Sequence, residues 1–102
     1  MNYGDLLYED LYETLKDEYE YLWDEWYDSE KAHLADMLLK EVRDECYYLE
    51  SGYSNALTPD EILAAARKKM DSIKDMTDEA AGAELRYYLR NGMYMPLHFE
   101  RG

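Results

Sequence analysis

The chain has 102 residues, 47% of them apolar, and a formal net charge of −13 at pH 7 from 24 acids and 11 bases. That length sets one domain over residues 1–102, and the abundance of Tyr, Leu and Met excludes intrinsic disorder, which needs low hydrophobicity beside its charge. The charge excludes DNA, RNA and anionic membranes as direct partners and favours a basic protein surface, while no apolar run is long enough to cross a bilayer.

The amino terminus carries acids where a signal peptide needs bases, and Cys46 is the single cysteine, so a reducing cytoplasm is the expected compartment. A first helix is predicted over residues 5–28. Its apolar positions Tyr8, Leu11, Leu15, Tyr19, Leu22 and Trp26 recur every three or four residues. Tyr12 and Trp23 widen the stripe, and neither Gly nor Pro interrupts it. Asp5, Glu9, Asp10, Glu13, Asp17, Glu18, Glu20, Asp24, Glu25, Asp28 and Glu30 set eleven carboxylates against one base, Lys16. The first thirty residues therefore carry −10, residues 31–60 add −3, and residues 61–102 add nothing. The acidity is localised.

Asp10, Glu13, Asp17, Glu20, Asp24 and Asp28 fall on one helix face, roughly opposite the aromatic stripe. Like charges at these spacings oppose one another by roughly 0.2–0.5 kcal/mol per pair. A helix selected only for solubility would interleave lysines. Residues 5–28 carry a net −9, about one charge per 4 Å at the helical rise. One strand of duplex DNA carries a charge per about 3.4 Å. A protein groove lined by Lys and Arg would accept such a stripe with the steering and counterion release that DNA provides.

A second helix starts after Asp28 or Ser29, either of which can cap it, and runs along Ala35, Leu38, Val42, Cys46 and Leu49 to a left-handed cap at Gly52. Its acids Asp36, Glu41, Asp44, Glu45 and Glu50 are candidates for a second rail of charge. After a loop, Thr58-Pro59-Asp60-Glu61 forms a capping box that opens a third helix over Ile62, Ala66, Met70 and Ile73. A fourth follows Thr77, carries Leu85, Tyr88 and Leu89, and stops at Asn91-Gly92. Gly82 inside it points to a close helix crossing, since glycine there costs about 1 kcal/mol against alanine. The tail from Met93 contains Pro96 and reads as extended, docking through Met95, Leu97 and Phe99. The expected fold is all-α: a compact bundle of about four helices with a long acidic N-terminal helix and a short extended C-terminal tail.

Glu30-x-x-His33 has the carboxylate–histidine spacing of di-iron bundles, but those sites need the pair twice, and His98 has no Glu three residues before it. Residues 24–30 lack the glycine and terminal glutamate of a calcium loop. Cys46 lies on an apolar stripe, as a packed thiol does. The acids lack the sheltered setting that acid–base catalysis requires, and there is no glycine-rich phosphate loop or hydrolase serine motif. Neither an enzyme, a metal site nor a cofactor is expected. Arg67-Lys68-Lys69 and Lys74 make one basic cluster, which reads as a nucleic-acid contact, more often a solvated face, or equally the partner of acids on the first two helices within the fold or in a dimer. Trp23, Trp26 and Tyr27, with Tyr21, are candidate anchors for a partner or a second copy.

The chain carries Tyr12-Glu13-Thr14-Leu15-Lys16 in an acidic opening helix, Tyr47-Tyr48 late in the second, Thr58-Pro59-Asp60 opening the third, and acids at the start of the fourth. In these features it resembles the Ocr family of phage anti-restriction DNA mimics, with a compatible helix order across most of its length. It departs from the family at the tail, which is neutral here and strongly acidic there. The resemblance implies a small helical homodimer that occupies the DNA groove of a bacterial defence enzyme in the host cytoplasm. Type I restriction–modification complexes are the leading target, other defence systems or CRISPR effectors the next. The acids from Asp5 to Glu30 would stand in for phosphates, and a dimer would extend the roughly 36 Å that 24 helical residues span. A second reading stands beside it: an acidic interaction module, adaptor or allosteric inhibitor, binding through Tyr and Trp without imitating DNA.

Overall fold

The computed structural model describes residues 2–27 and 29–92, and every regular element within them is helical: α1 (Tyr3–Glu18), α2 (Glu20–Glu25), α3 (Glu30–Glu50), α4 (Pro59–Asp75) and α5 (Asp78–Arg90). Asp28 and the tail, with Met95, Leu97, His98 and Phe99, lie outside the described residues.

The first helix begins earlier and ends sooner than its periodicity predicts. Asn2 caps it, accepting from the Asp5 amide at 3.0 Å. It ends at Tyr19, whose φ of −118° and ψ of 19° leave the helical region, and the six residues of α2 follow. Five helices therefore take the place of about four. The apolar steps Leu15, Tyr19, Leu22 and Trp26 run straight through the break, so periodicity alone passes over it. Tertiary contact marks it instead: Tyr19 is buried, and its hydroxyl donates to Asp71 Oδ1 on α4 at 2.9 Å.

At 21 residues α3 is the longest helix, and it packs against α1, α4 and α5. Covered from several sides, it buries Leu34, Met37 and Leu39 as well as the expected Ala35, Leu38, Val42 and Cys46. At about 100° per residue these positions span roughly 200° of its circumference. Ile62, Ala66, Met70 and Ile73 of α4 complete the core with Ala81 and Tyr88 of α5.

The capping box forms as its sequence predicts. Thr58 Oγ1 accepts from the Glu61 amide at 3.2 Å, and Glu61 Oε1 accepts from the Thr58 amide at 3.0 Å. Gly52, at φ +78°, supplies the left-handed turn after α3. Gly82 is buried where α5 packs on α3, but the tightest approach at a glycine falls at Gly4. A Cβ at Gly82 would make ordinary contacts with the end of Arg86, at 3.4 Å, and with the Glu30 side chain of α3, at 3.8 Å, whereas one at Gly4 would stand 2.7 Å from the Tyr47 ring. The bare backbone at Gly4 lets the start of α1 lie against the end of α3.

Candidate acidic docking surface

Burying Leu11 and Leu15 turns Glu9, Asp10, Glu13 and Asp17 of α1 outward, and burying Leu22 and Trp26 does the same for Glu20, Asp24 and Glu25 of α2. None of these seven carboxylates has a hydrogen-bond or ion-pair partner among the described residues. Two other acids of α1 are paired with side chains of neighbouring helices. Asp5 accepts the Tyr47 hydroxyl at 2.6 Å, and Glu18 forms a two-point pair with the Arg67 guanidinium of α4. That hydrogen bonding holds the Glu18 carboxyl below its ordinary value. Arg67 of the basic cluster thus serves the acids of the first helix. Lys69 turns instead to Glu84 of α5, at 2.5 Å. Glu30 and Asp36 of α3 are exposed as well.

Lys16, the lone base among these acids, sits over aromatic rings, 4.3 Å from the Trp23 centroid and 5.8 Å from that of Tyr12. Its charge strengthens the aromatic seam between α1 and α2. The continuous rod is shorter than expected: the 16 residues of α1 span about 24 Å before the break.

The second rail expected on α3 is absent. Glu41 is 5% exposed and Glu45 fully buried, because both fall inside the arc that α1, α4 and α5 cover. Asp44 is half-buried, and Asp36 shares its side of α3 with Lys40 and Arg43. Glu41 and Glu45 are therefore corrected from surface acids to interior ones. Burial, reinforced by Asp44 and Glu45, pushes Glu41 up to about 7. A carboxyl raised from 4.5 favours folding while it stays protonated, and its contribution is lost as pH rises from about 4.5 to about 7. Glu41→Gln is expected to stabilise the domain at pH 8 by on the order of 1–3 kcal/mol and to give no gain at pH 4. Urea unfolding of both proteins at the two pH values checks this, and an equal effect at both would refute it.

Among the aromatic anchors, Trp26 is also corrected. It is 4% exposed, packed inward one turn after Leu22 with its ring 6.3 Å from that of Trp23. Trp23 is half-buried, whereas Tyr27 is 85% and Tyr21 59% exposed. Cys46 is fully buried, and desolvation pushes its thiol up to about 11, which leaves little thiolate for chemistry. His33 is exposed, and no group of three or more His, Cys, Asp or Glu is placed to hold a metal ion among the described residues.

A cleft of about 350 Å³ lies where α1, α2 and α3 meet. Tyr8, Tyr12 and Lys16 line it from α1, Trp23 from α2, and Asp36, Lys40 and Arg43 from α3. Sequence reasoning singled out neither Lys40 nor Arg43. The available signal was the four-residue spacing of Tyr8, Tyr12 and Lys16, which places two rings and a cation on one side of a helix. Compared with family models, curated proteins and solved structures, the chain matches none.

Proposed function

We propose that the chain is a phage-type anti-defence inhibitor that mimics DNA and blocks the DNA-binding groove of a bacterial restriction–modification or related defence enzyme. The observation that carries this reading is the set of seven exposed carboxylates on α1 and α2, none with a partner among the described residues. A fold that leaves them facing water carries their mutual repulsion, which a basic groove relieves. Glu41 and Glu45 are interior, so the second rail comes from a second copy, and the working form is a homodimer in the host cytoplasm. The domain's longest extent is 39 Å, close to the roughly 34 Å of one DNA turn, so two copies would cover about two turns.

The test is a titration of a type I restriction–modification complex carrying labelled DNA, at several salt concentrations. The expected result is stoichiometric displacement of the DNA, with an affinity that falls steeply as salt rises. Displacement indifferent to salt, or DNA that stays bound, refutes the mimicry.

A second reading draws on Tyr21 and Tyr27, which stand exposed beside the acids of α2. In an adaptor or allosteric inhibitor, CRISPR effectors included among its targets, such rings would be the anchors. Under that reading Tyr27→Ala abolishes binding while neutralised acids matter little.

A further inference from the structure

The cleft at the junction of α1, α2 and α3 includes none of the seven outward carboxylates of α1 and α2, and its chemistry runs against that of the rest of the chain. Three cations, Lys16, Lys40 and Arg43, face one acid, Asp36, in a protein of net charge −13. Lys40 and Arg43 stand one turn apart on the outward side of α3, both exposed. With 24 acids in the chain, neither makes an ion pair among the described residues. Aromatic side chains meet them from the other helices. The Tyr8 and Tyr12 rings lie 5.8 Å apart, and Trp23 is held under the Lys16 ammonium.

We propose that this cleft binds a nucleoside monophosphate, with the base against the Tyr8, Tyr12 and Trp23 rings and the phosphate on Lys40 and Arg43. A guanidinium offers a planar fork that matches phosphate oxygens, and a lysine one turn away adds a mobile second charge. Aromatic rings stack on any base. The volume of about 350 Å³ falls at the small end of the roughly 300–1,000 Å³ typical of small-molecule sites. Glu9 and Glu13, exposed on the same helix as the rings, repel a longer polyanion, so a single nucleotide is favoured over a strand. Asp36, one turn before Lys40, is the one group in the cleft that opposes the phosphate.

The experiment is a ¹⁵N NMR titration of the full chain at low ionic strength with adenosine 5′-monophosphate, adenosine, inorganic phosphate and a short oligodeoxynucleotide. The monophosphate is expected to shift the Lys16, Lys40 and Arg43 amides and the Trp23 indole. Adenosine and phosphate alone should each bind at least about tenfold more weakly, because each loses one half of the recognition. Lys40→Gln with Arg43→Gln should weaken the nucleotide about tenfold without changing the melting temperature, and Asp36→Asn should tighten it severalfold. Shifts that are absent, that fall outside the cleft, or that survive the double substitution overturn the proposal. So does phosphate binding as tightly as the nucleotide, which would leave the rings without a role, or the oligonucleotide binding more tightly than either. None of these variants alters the outward acids of α1 and α2, so failure here leaves the DNA-mimic reading standing.

Discussion

Replacing Asp17, Glu20 and Asp24 together by lysine is expected to weaken binding to a DNA-binding defence enzyme roughly 100-fold at 100 mM salt, about 2.7 kcal/mol. The three carboxylates straddle the junction of α1 and α2, are exposed, and hold no partner among the described residues. Their reversal therefore breaks no contact within the fold. It also turns the four-residue Glu13–Asp17 pair into an attractive one while leaving positions 20 and 24 alike in charge, so stability should stay roughly level. The loss would come from the groove, where each acid that replaces a phosphate releases counterions. Removing three such contacts lowers the slope of log affinity against log salt by roughly 2–3. Asp75→Lys is the control: it is exposed at the end of α4, away from the acidic helices in sequence, and should change affinity less than twofold. A triple variant that loses less than about threefold, or keeps the parent's salt slope, would exclude the outward acids as the recognition element.

Leu15→Ala is expected to destabilise the domain by about 2–5 kcal/mol, a large part of the total for a chain of this size. Leu15 is fully buried near the end of α1 and belongs to the core that α1 makes with α3 and α4. Its truncation removes transfer energy and leaves a cavity that the close-packed α3 cannot fill. The same helix carries like charges four residues apart at Asp5–Glu9, Glu9–Glu13 and Glu13–Asp17, which together cost roughly 1 kcal/mol. The apolar seam is what offsets that repulsion. Salt should therefore restore part of the lost stability, since the Debye length falls from about 10 Å at 0.1 M to about 3 Å at 1 M. Urea denaturation is the measurement, because guanidinium would itself screen the acids. A loss below about 1 kcal/mol would mean that α1 is dispensable to the core and that other contacts hold the acidic surface in place.

Much of the fold was legible in the chain because its signals are local. Thr58-Pro59-Asp60-Glu61 contains every group its hydrogen bonds require, and the capping box forms without help from distant residues. Gly52 and the Asn91-Gly92 stop are local in the same sense, with both glycines at positive φ. The apolar positions of α4 each met the core, because its single stripe faces mainly α3. Reading failed where an element has several neighbours. A single stripe on α3 missed Met37 and Leu39, and it sent Glu41 and Glu45 to the surface. The end of α1 at Tyr19 was invisible for a related reason: the hydroxyl that bonds Asp71 reaches 52 residues along the chain.

The candidate site divides along the same line. Its acidity, its confinement to the first thirty residues and the scarcity of bases there follow from the amino-acid order, since charge is a property of residue type. Which acids face water is a property of packing. The tertiary structure kept Glu9, Asp10, Glu13, Asp17, Glu20, Asp24 and Glu25 outward, tied Asp5 and Glu18 to Tyr47 and Arg67, and drew Glu41 and Glu45 into the interior. It also set Lys16, Lys40 and Arg43 around one cleft, although no spacing in the chain joins α1 to α3. A helix's own periodicity specifies what lies along one axis. Only the docking of α1, α4 and α5 around α3 decided which of its sides remained a surface.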